Sequence, residues 1–162
     1  MSGKVFLNTS VIQYLYHLRL LHIIKDLFGK AYIPLEVCEE LEKGMEEGIE
    51  LPDLQKVDYI EVMEVRTPLV IQIIRDLGKG EAAVILLGLE NVDSLVVLDD
   101  DLARKVAKEL MIKTTGTAGV LIIAKEKAII KAVKPYLDRL EDLGFYLSPD
   151  HKSIILKEAG EN

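Results

Sequence analysis

The chain has 162 residues and a formal net charge of −7, from 27 acidic against 20 basic side chains, a length that suits one domain. Hydrophobic residues make up 49% and charged residues 29%, which excludes a disordered or fibrous chain, and the acidic balance argues against a protein that grips nucleic acid over its whole surface by neutralising phosphates. The single cysteine, Cys38, excludes an intramolecular disulfide and a zinc site built on several thiolates, and no apolar run approaches the roughly 20 residues of a membrane span.

The start shows no basic, apolar and small-residue succession of a signal peptide, so a cytosolic protein is expected. Lys4 to Leu7 reads as a short strand ending in Asn8-Thr9-Ser10. Apolar residues from Val11 to Phe28 then recur at helical spacing, with Gly29 as the stop. Ala31 to Pro34 reads as a second strand, and Glu36 to Lys43 as a helix that Gly44 can end. The stretch from Gly44 to Asp53 is polar and reads as an exposed loop. Tyr59 to Val65 alternates as an edge strand does. Pro68 to Leu77 is helical by period and is followed by Gly78 and Gly80, which read as its close; Glu81 to Leu89 is a further helix. Leu95 to Leu98 is a continuous apolar run, as expected of a parallel strand covered on both faces. It ends in Asp99-Asp100-Asp101. Leu102 to Leu110 is helical by period, Ile112 to Thr114 a short strand, and Ala118 to Ala128 and Ile130 to Leu143 two more helices, with Gly144 as stop. The period does not place Tyr146 or Ile154 to Leu156.

Alternating strands and helices predict an α/β fold: a three-layer α/β/α sandwich around a central, mostly parallel sheet. The expected division is a domain over residues 1–147 and a tail over 148–162 that packs on it or trails from it. In such sheets the ligand site lies beyond the carboxyl ends of the strands. Oxygen-bearing side chains follow two predicted strands, at Asn8-Thr9-Ser10 and Asp99-Asp100-Asp101, and acids stand at or near helix starts at Glu39 or Glu40 and at Glu81. Each group alone has an ordinary explanation, such as an N-cap, a first-turn acid or a solvated helix face. Together they form a set of oxygen ligands suited to Mg²⁺ or Mn²⁺ rather than zinc. Carboxylates brought close repel one another unless a cation or protons offset their charge. A divalent ion at such a spot serves phosphate-ester cleavage. A phosphoacceptor receiver domain is disfavoured, because the place after the first strand holds Asn8 where an acidic pair is expected.

Lys4 to Ser10, Ile33 to Leu41, Gly80 to Ile85, Leu98 to Ala107, and Thr115 to Leu121 with Ala124-Lys125, in this order and spacing, resemble a PIN domain of a prokaryotic nucleic-acid-binding type. The resemblance spans roughly residues 4 to 147. It implies a cytoplasmic Mg²⁺- or Mn²⁺-dependent ribonuclease, often the toxin of a toxin–antitoxin pair, that acts on RNA and forms homodimers through helices. It also implies four acidic positions, which fall on Asn8, Glu40, Glu81 and Asp100, with Asp99 the alternative for the last. The catalytic set is then Glu40, Glu81 and Asp100, the metal set adds Asn8 and Asp99, and Ser10, Thr115 and Thr117 support it. Asn8 departs from the pattern: it offers a neutral carbonyl oxygen and no charge. That departure motivates the alternative of a weakened, non-catalytic binding module for nucleic acid or a partner protein.

Overall fold

The computed structural model describes residues 3–68 and 76–161. Five strands of three residues each, β1 (Val5–Leu7), β2 (Ala31–Ile33), β3 (Ile60–Val62), β4 (Leu95–Val97) and β5 (Lys113–Thr115), form one sheet in the order β3-β2-β1-β4-β5. Every pairing is parallel. Eight α-helices among the described residues flank it as the outer layers of an α/β/α sandwich: α1 (Thr9–His17), α2 (Ile23–Phe28), α3 (Leu35–Glu46), α4 (Lys79–Glu90), α5 (Asp101–Glu109), α6 (Thr117–Glu126), α7 (Lys134–Asp142) and α8 (Pro149–Glu158). None of them is long and apolar enough to cross a membrane.

The sheet centre explains the apolar strands. Phe6, Leu7, Val96 and Val97 are fully buried, because β1 and β4 have a neighbour on each edge and helices over their faces. Helix α4 lies across β1 and β4 and packs against α3 and α5. It is hydrophobic all round, buried from Ala82 to Gly88, as a central helix must be. Helix α6 meets β5 and holds α1, α2 and α8.

Several elements differ from what local pattern predicts. The helix expected over Val11 to Phe28 is two. It breaks after His17, where Arg19 takes a left-handed φ of 61° and Leu20 N–H bonds back to Leu15 O at 2.8 Å. Leu18, Leu21 and Ile24 stay buried across the break, so the apolar period runs on and hides the turn. Gly44 does not end α3; it lies inside it, and a Cβ there would stand 2.9 Å from Leu51 Cδ1. The glycine lets the returning chain press onto the helix. Leu51 and Pro52 are accordingly buried, so the expected exposed loop is anchored at its far end. Gly78 and Gly80 open α4, as its N-cap and second residue, rather than closing the helix before it. The helix expected over Pro68 to Leu77 falls mostly outside the described residues. Strand β5 lies one residue later than expected, and α7 starts at Lys134 rather than Ile130. The unplaced tail forms α8, which is capped by Ser148 and buries Ile155 and Leu156.

Candidate functional site

From β1 the chain moves outward to β2 and β3, then returns to the other side of β1 for β4 and β5. Connections therefore leave the carboxyl ends of β1 and β4 in opposite directions and open a crevice between them. Asn8 N–H donates to Val97 O at 3.1 Å, tying the two strand ends together. Asn8, Ser10, Glu81, Asp99 and Asp100 line one cleft of about 1090 Å³, whose far wall includes Tyr146 and His151.

The four oxygen-bearing positions are held by different local devices. Asp99 leaves β4 and turns inward. Its Oδ1 accepts from Thr117 N–H at 2.8 Å, and its Oδ2 accepts from the Thr117 hydroxyl at 2.8 Å and the Ser10 hydroxyl at 3.1 Å. Burial pushes this carboxyl above its ordinary pKa, against those three bonds and the charge of Arg104. Gly116 allows the approach, since a Cβ there would come within 3.0 Å of both Asp99 Oδ1 and Arg104 Nη1. Asp100 is exposed and N-caps α5, accepting from Ala103 N–H at 2.9 Å. Glu81 is the third residue of α4 and reaches back to accept from Gly78 N–H at 3.0 Å, satisfying the donor at the helix N-cap. Burial pushes its carboxyl up against that bond, and the charges of Asp100 and Glu40 push it further. Glu40 is outside the cleft lining but tied to it: the Thr9 hydroxyl donates to its Oε1 at 2.5 Å. A Cβ on Gly80 would stand 2.2 Å from that same oxygen, so the start of α4 sits directly on the Glu40 carboxylate. Asn8 is 6% exposed, and its Oδ1 is buried with no hydrogen-bond partner among the described residues.

These positions are thus neighbours around one crevice. Among the described residues, no three His, Cys, Asp or Glu side chains gather as a ready metal-holding group. The donor chemistry nevertheless fits a hard divalent ion: every donor is oxygen, the Asn8 carbonyl is unsatisfied, and Glu81 is electrostatically crowded by two other acids. Asp99 differs from the rest, because its lone pairs already serve three donors. Of the supporting hydroxyls, Ser10 and Thr117 hold Asp99, whereas Thr115 lines the cleft against Gly119, whose Cβ would meet its Oγ1 at 1.9 Å.

Sequence reasoning placed Thr9 in the oxygen-bearing run Asn8-Thr9-Ser10 but gave it no role; its hydroxyl serves a different acid from that of Ser10. The same reasoning missed Tyr14, half-buried in the cleft with its hydroxyl pushed up by burial and by Asp99. The aromatic spacing of α1 is no signal for that role. Arg104 straps the turn. Its Nη1 donates to Leu98 O and Asp99 O at 3.0 Å each, and Nη2 pairs with Asp101. His17 and His22 lie away from the cleft.

No protein of curated function is significantly similar to the chain in sequence. The family model of the PIN domain matches residues 4–161, including α8. With that match over nearly its whole length, an all-parallel sheet and an acidic crevice at the switch point of its topology, the chain belongs to the PIN-domain family.

Proposed function

We propose that the chain is a cytoplasmic ribonuclease that hydrolyses RNA phosphodiesters with Mg²⁺ or Mn²⁺. PIN domains are typically nucleases and generally use divalent ions. The observation that carries the reading for this chain is that Asn8, Glu81, Asp99 and Asp100 line one cleft, with the buried Asn8 oxygen lacking a hydrogen-bond partner among the described residues. Glu40, Glu81, Asp100 and the Asn8 carbonyl would hold the ion, with Asp99, held by Ser10 and Thr117, beneath them in the cleft lining. When bound, such an ion activates water and stabilises the charge that develops on the phosphate. The chain's own part is orientation: Thr9 fixes Glu40, Gly78 fixes Glu81, the α5 N-terminus fixes Asp100, and Ser10 with Thr117 holds Asp99. Cleavage of an RNA oligomer with Mn²⁺ tests this. Glu81→Gln and Asp100→Asn should each slow cleavage by about 100-fold or more, and equal rates in wild type and both variants would sink the reading.

A second reading is a non-catalytic module that binds nucleic acid or a partner. Asn8 in place of an acid supports it, as does the lack of a compact three-acid group among the described residues. Calorimetry with Mn²⁺ separates the two, since binding that Asp100→Asn removes speaks against the second. The nuclease reading extends to a toxin paired with a small antitoxin protein, which a short reading frame beside the gene would support. It extends also to a homodimer through apolar helix faces such as that of Leu89, 48% exposed; sedimentation as monomer alone would remove it.

A further inference from the structure

A second cavity of about 870 Å³ lies at the other end of the sheet. Helix α1 begins beside the acids and ends here. Tyr16 and His17 close the helix, Arg19 and His22 follow in the turn, Tyr59 precedes the amino end of β3, and Arg139 comes from α7. A chain of net charge −7 thus places two of its five arginines and two of its three histidines around one hollow. Glu50 is the one acidic residue in its lining, and it meets His17 through its backbone, its carbonyl lying 2.7 Å from His17 Nε2.

Neither arginine has a carboxylate partner among the described residues. Arg139 donates to the carbonyls of His17 and Leu18 at 3.2 and 3.4 Å, which caps α1 but leaves most of its five N–H groups unused. Arg19 is exposed and held at φ 61°, a position that glycine fills at lower cost in such helix-ending turns. The cations therefore cluster at the α1 end. The Tyr59 ring and the apolar side chains of Val57 and Leu21 line the same hollow. A phosphate alone would use the cations and leave the ring wall and most of the volume empty. The volume lies in the range of roughly 300–1,000 Å³ usual for small-molecule sites, and guanidinium forks match phosphate oxygens.

We infer that this cavity binds a nucleoside phosphate, with Arg19 and Arg139 on the phosphate and Tyr16 and Tyr59 beside the base. The ligand is either a free nucleotide or a terminal nucleotide of an RNA chain. The site uses no cation and none of the cleft acids, so it stands apart from the nuclease reading.

Calorimetry with adenosine 5′-monophosphate in EDTA tests it, because the acidic cleft has no ion there to hold phosphate. Saturable binding is expected in the wild type and in Glu81→Gln. It should weaken about 10-fold in Arg19→Gly, the loss expected for one charged phosphate contact. Glycine adopts the left-handed turn readily, so this variant keeps the fold, which its melting temperature verifies. Arg139→Gln is the second variant. No binding at millimolar nucleotide, or equal binding in wild type and both arginine variants, overturns the inference. So does inorganic phosphate bound as tightly as the nucleotide. A 5′-phosphorylated tetra-adenylate distinguishes the sources: Arg19-dependent binding tighter than that of the mononucleotide assigns the site to RNA ends, and weaker binding assigns it to free nucleotide.

Discussion

Gly80 is where backbone meets carboxylate. Any side chain there collides with Glu40 Oε1, so Gly80→Ala must push α4 or Glu40 out of place. The carboxylate can swing aside and alanine favours the helix, so we predict a stability change of under about 1 kcal/mol but slower cleavage, read by thermal melting and the Mn²⁺ assay on the same preparation. Asn8 poses the opposite problem, a buried acceptor with no donor among the described residues. Asn8→Asp should cost about 1–3 kcal/mol without metal and bind Mn²⁺ about 10-fold or more tighter, since ligand charge sets affinity for hard cations. Melting curves with and without Mn²⁺ report both effects. For Glu81, burial and the charges of Asp100 and Glu40 raise the folded-state pKa above its ordinary 4.5. Its contribution to stability is therefore fully present below pH 4.5 and is lost as pH rises through the raised folded value. Glu81→Gln keeps the acceptor for Gly78 N–H without the charge. It should melt above wild type at pH 7, by under about 1 kcal/mol because solvent screens a half-exposed group, and the two should converge below pH 4.5.

At the level of elements, the last helix is fastened by one acid. Glu161 follows α8, and its side chain is only 16% exposed. It accepts from Val133 N–H at 2.8 Å, Lys134 N–H at 3.0 Å and Lys125 Nζ at 3.1 Å. It thereby caps α7 and joins it to α6, while Lys125 also donates to Ala159 O at 2.6 Å. Burial pushes the Glu161 carboxyl up, but the two N–H groups and the ammonium outweigh it and leave the pKa below 4.5. The stabilisation is present above pH 4.5 and lost as pH falls through the depressed folded value. Glu161→Ala should cost about 1–2 kcal/mol at pH 7, with the gap to wild type closing in acid, as melting at the two pH values would show. Because α8 lines the cleft through His151 and Ile155, loosening it should also alter RNA affinity.

Across the whole molecule, the topology separates two chemistries. Acids gather where strands end, and arginines without a carboxylate partner among the described residues gather where they begin, joined by α1, which spans from Thr9 to His17. Metal should stabilise the entire fold through the first of these. At 100 times its dissociation constant, Mn²⁺ is expected to add about 2.7 kcal/mol. The upward shift in melting temperature should vanish in the Glu81→Gln/Asp100→Asn double variant, and a shift that survives there places the ion elsewhere.

Residue order alone set the alternation of strands and helices, the burial of Val96 to Leu98, and the placing of oxygen-bearing side chains after β1 and β4. Those features depend on period and on neighbours a few positions apart, which a linear chain displays. The turn at Arg19 stayed hidden because the apolar period continues through it, and α8 stayed hidden because its pattern is short and its buried face is only Ile155 and Leu156. Tertiary packing decided the rest. Gly44 meets Leu51, Gly80 meets Glu40 and Gly116 meets Asp99 across gaps in sequence that no local rule spans. The same packing distinguished two adjacent aspartates: Asp99 turns in to three donors, while Asp100 caps its helix at the surface with an oxygen to spare. A side chain's neighbours across the fold, rather than along the chain, determine which of its lone pairs remain for a ligand.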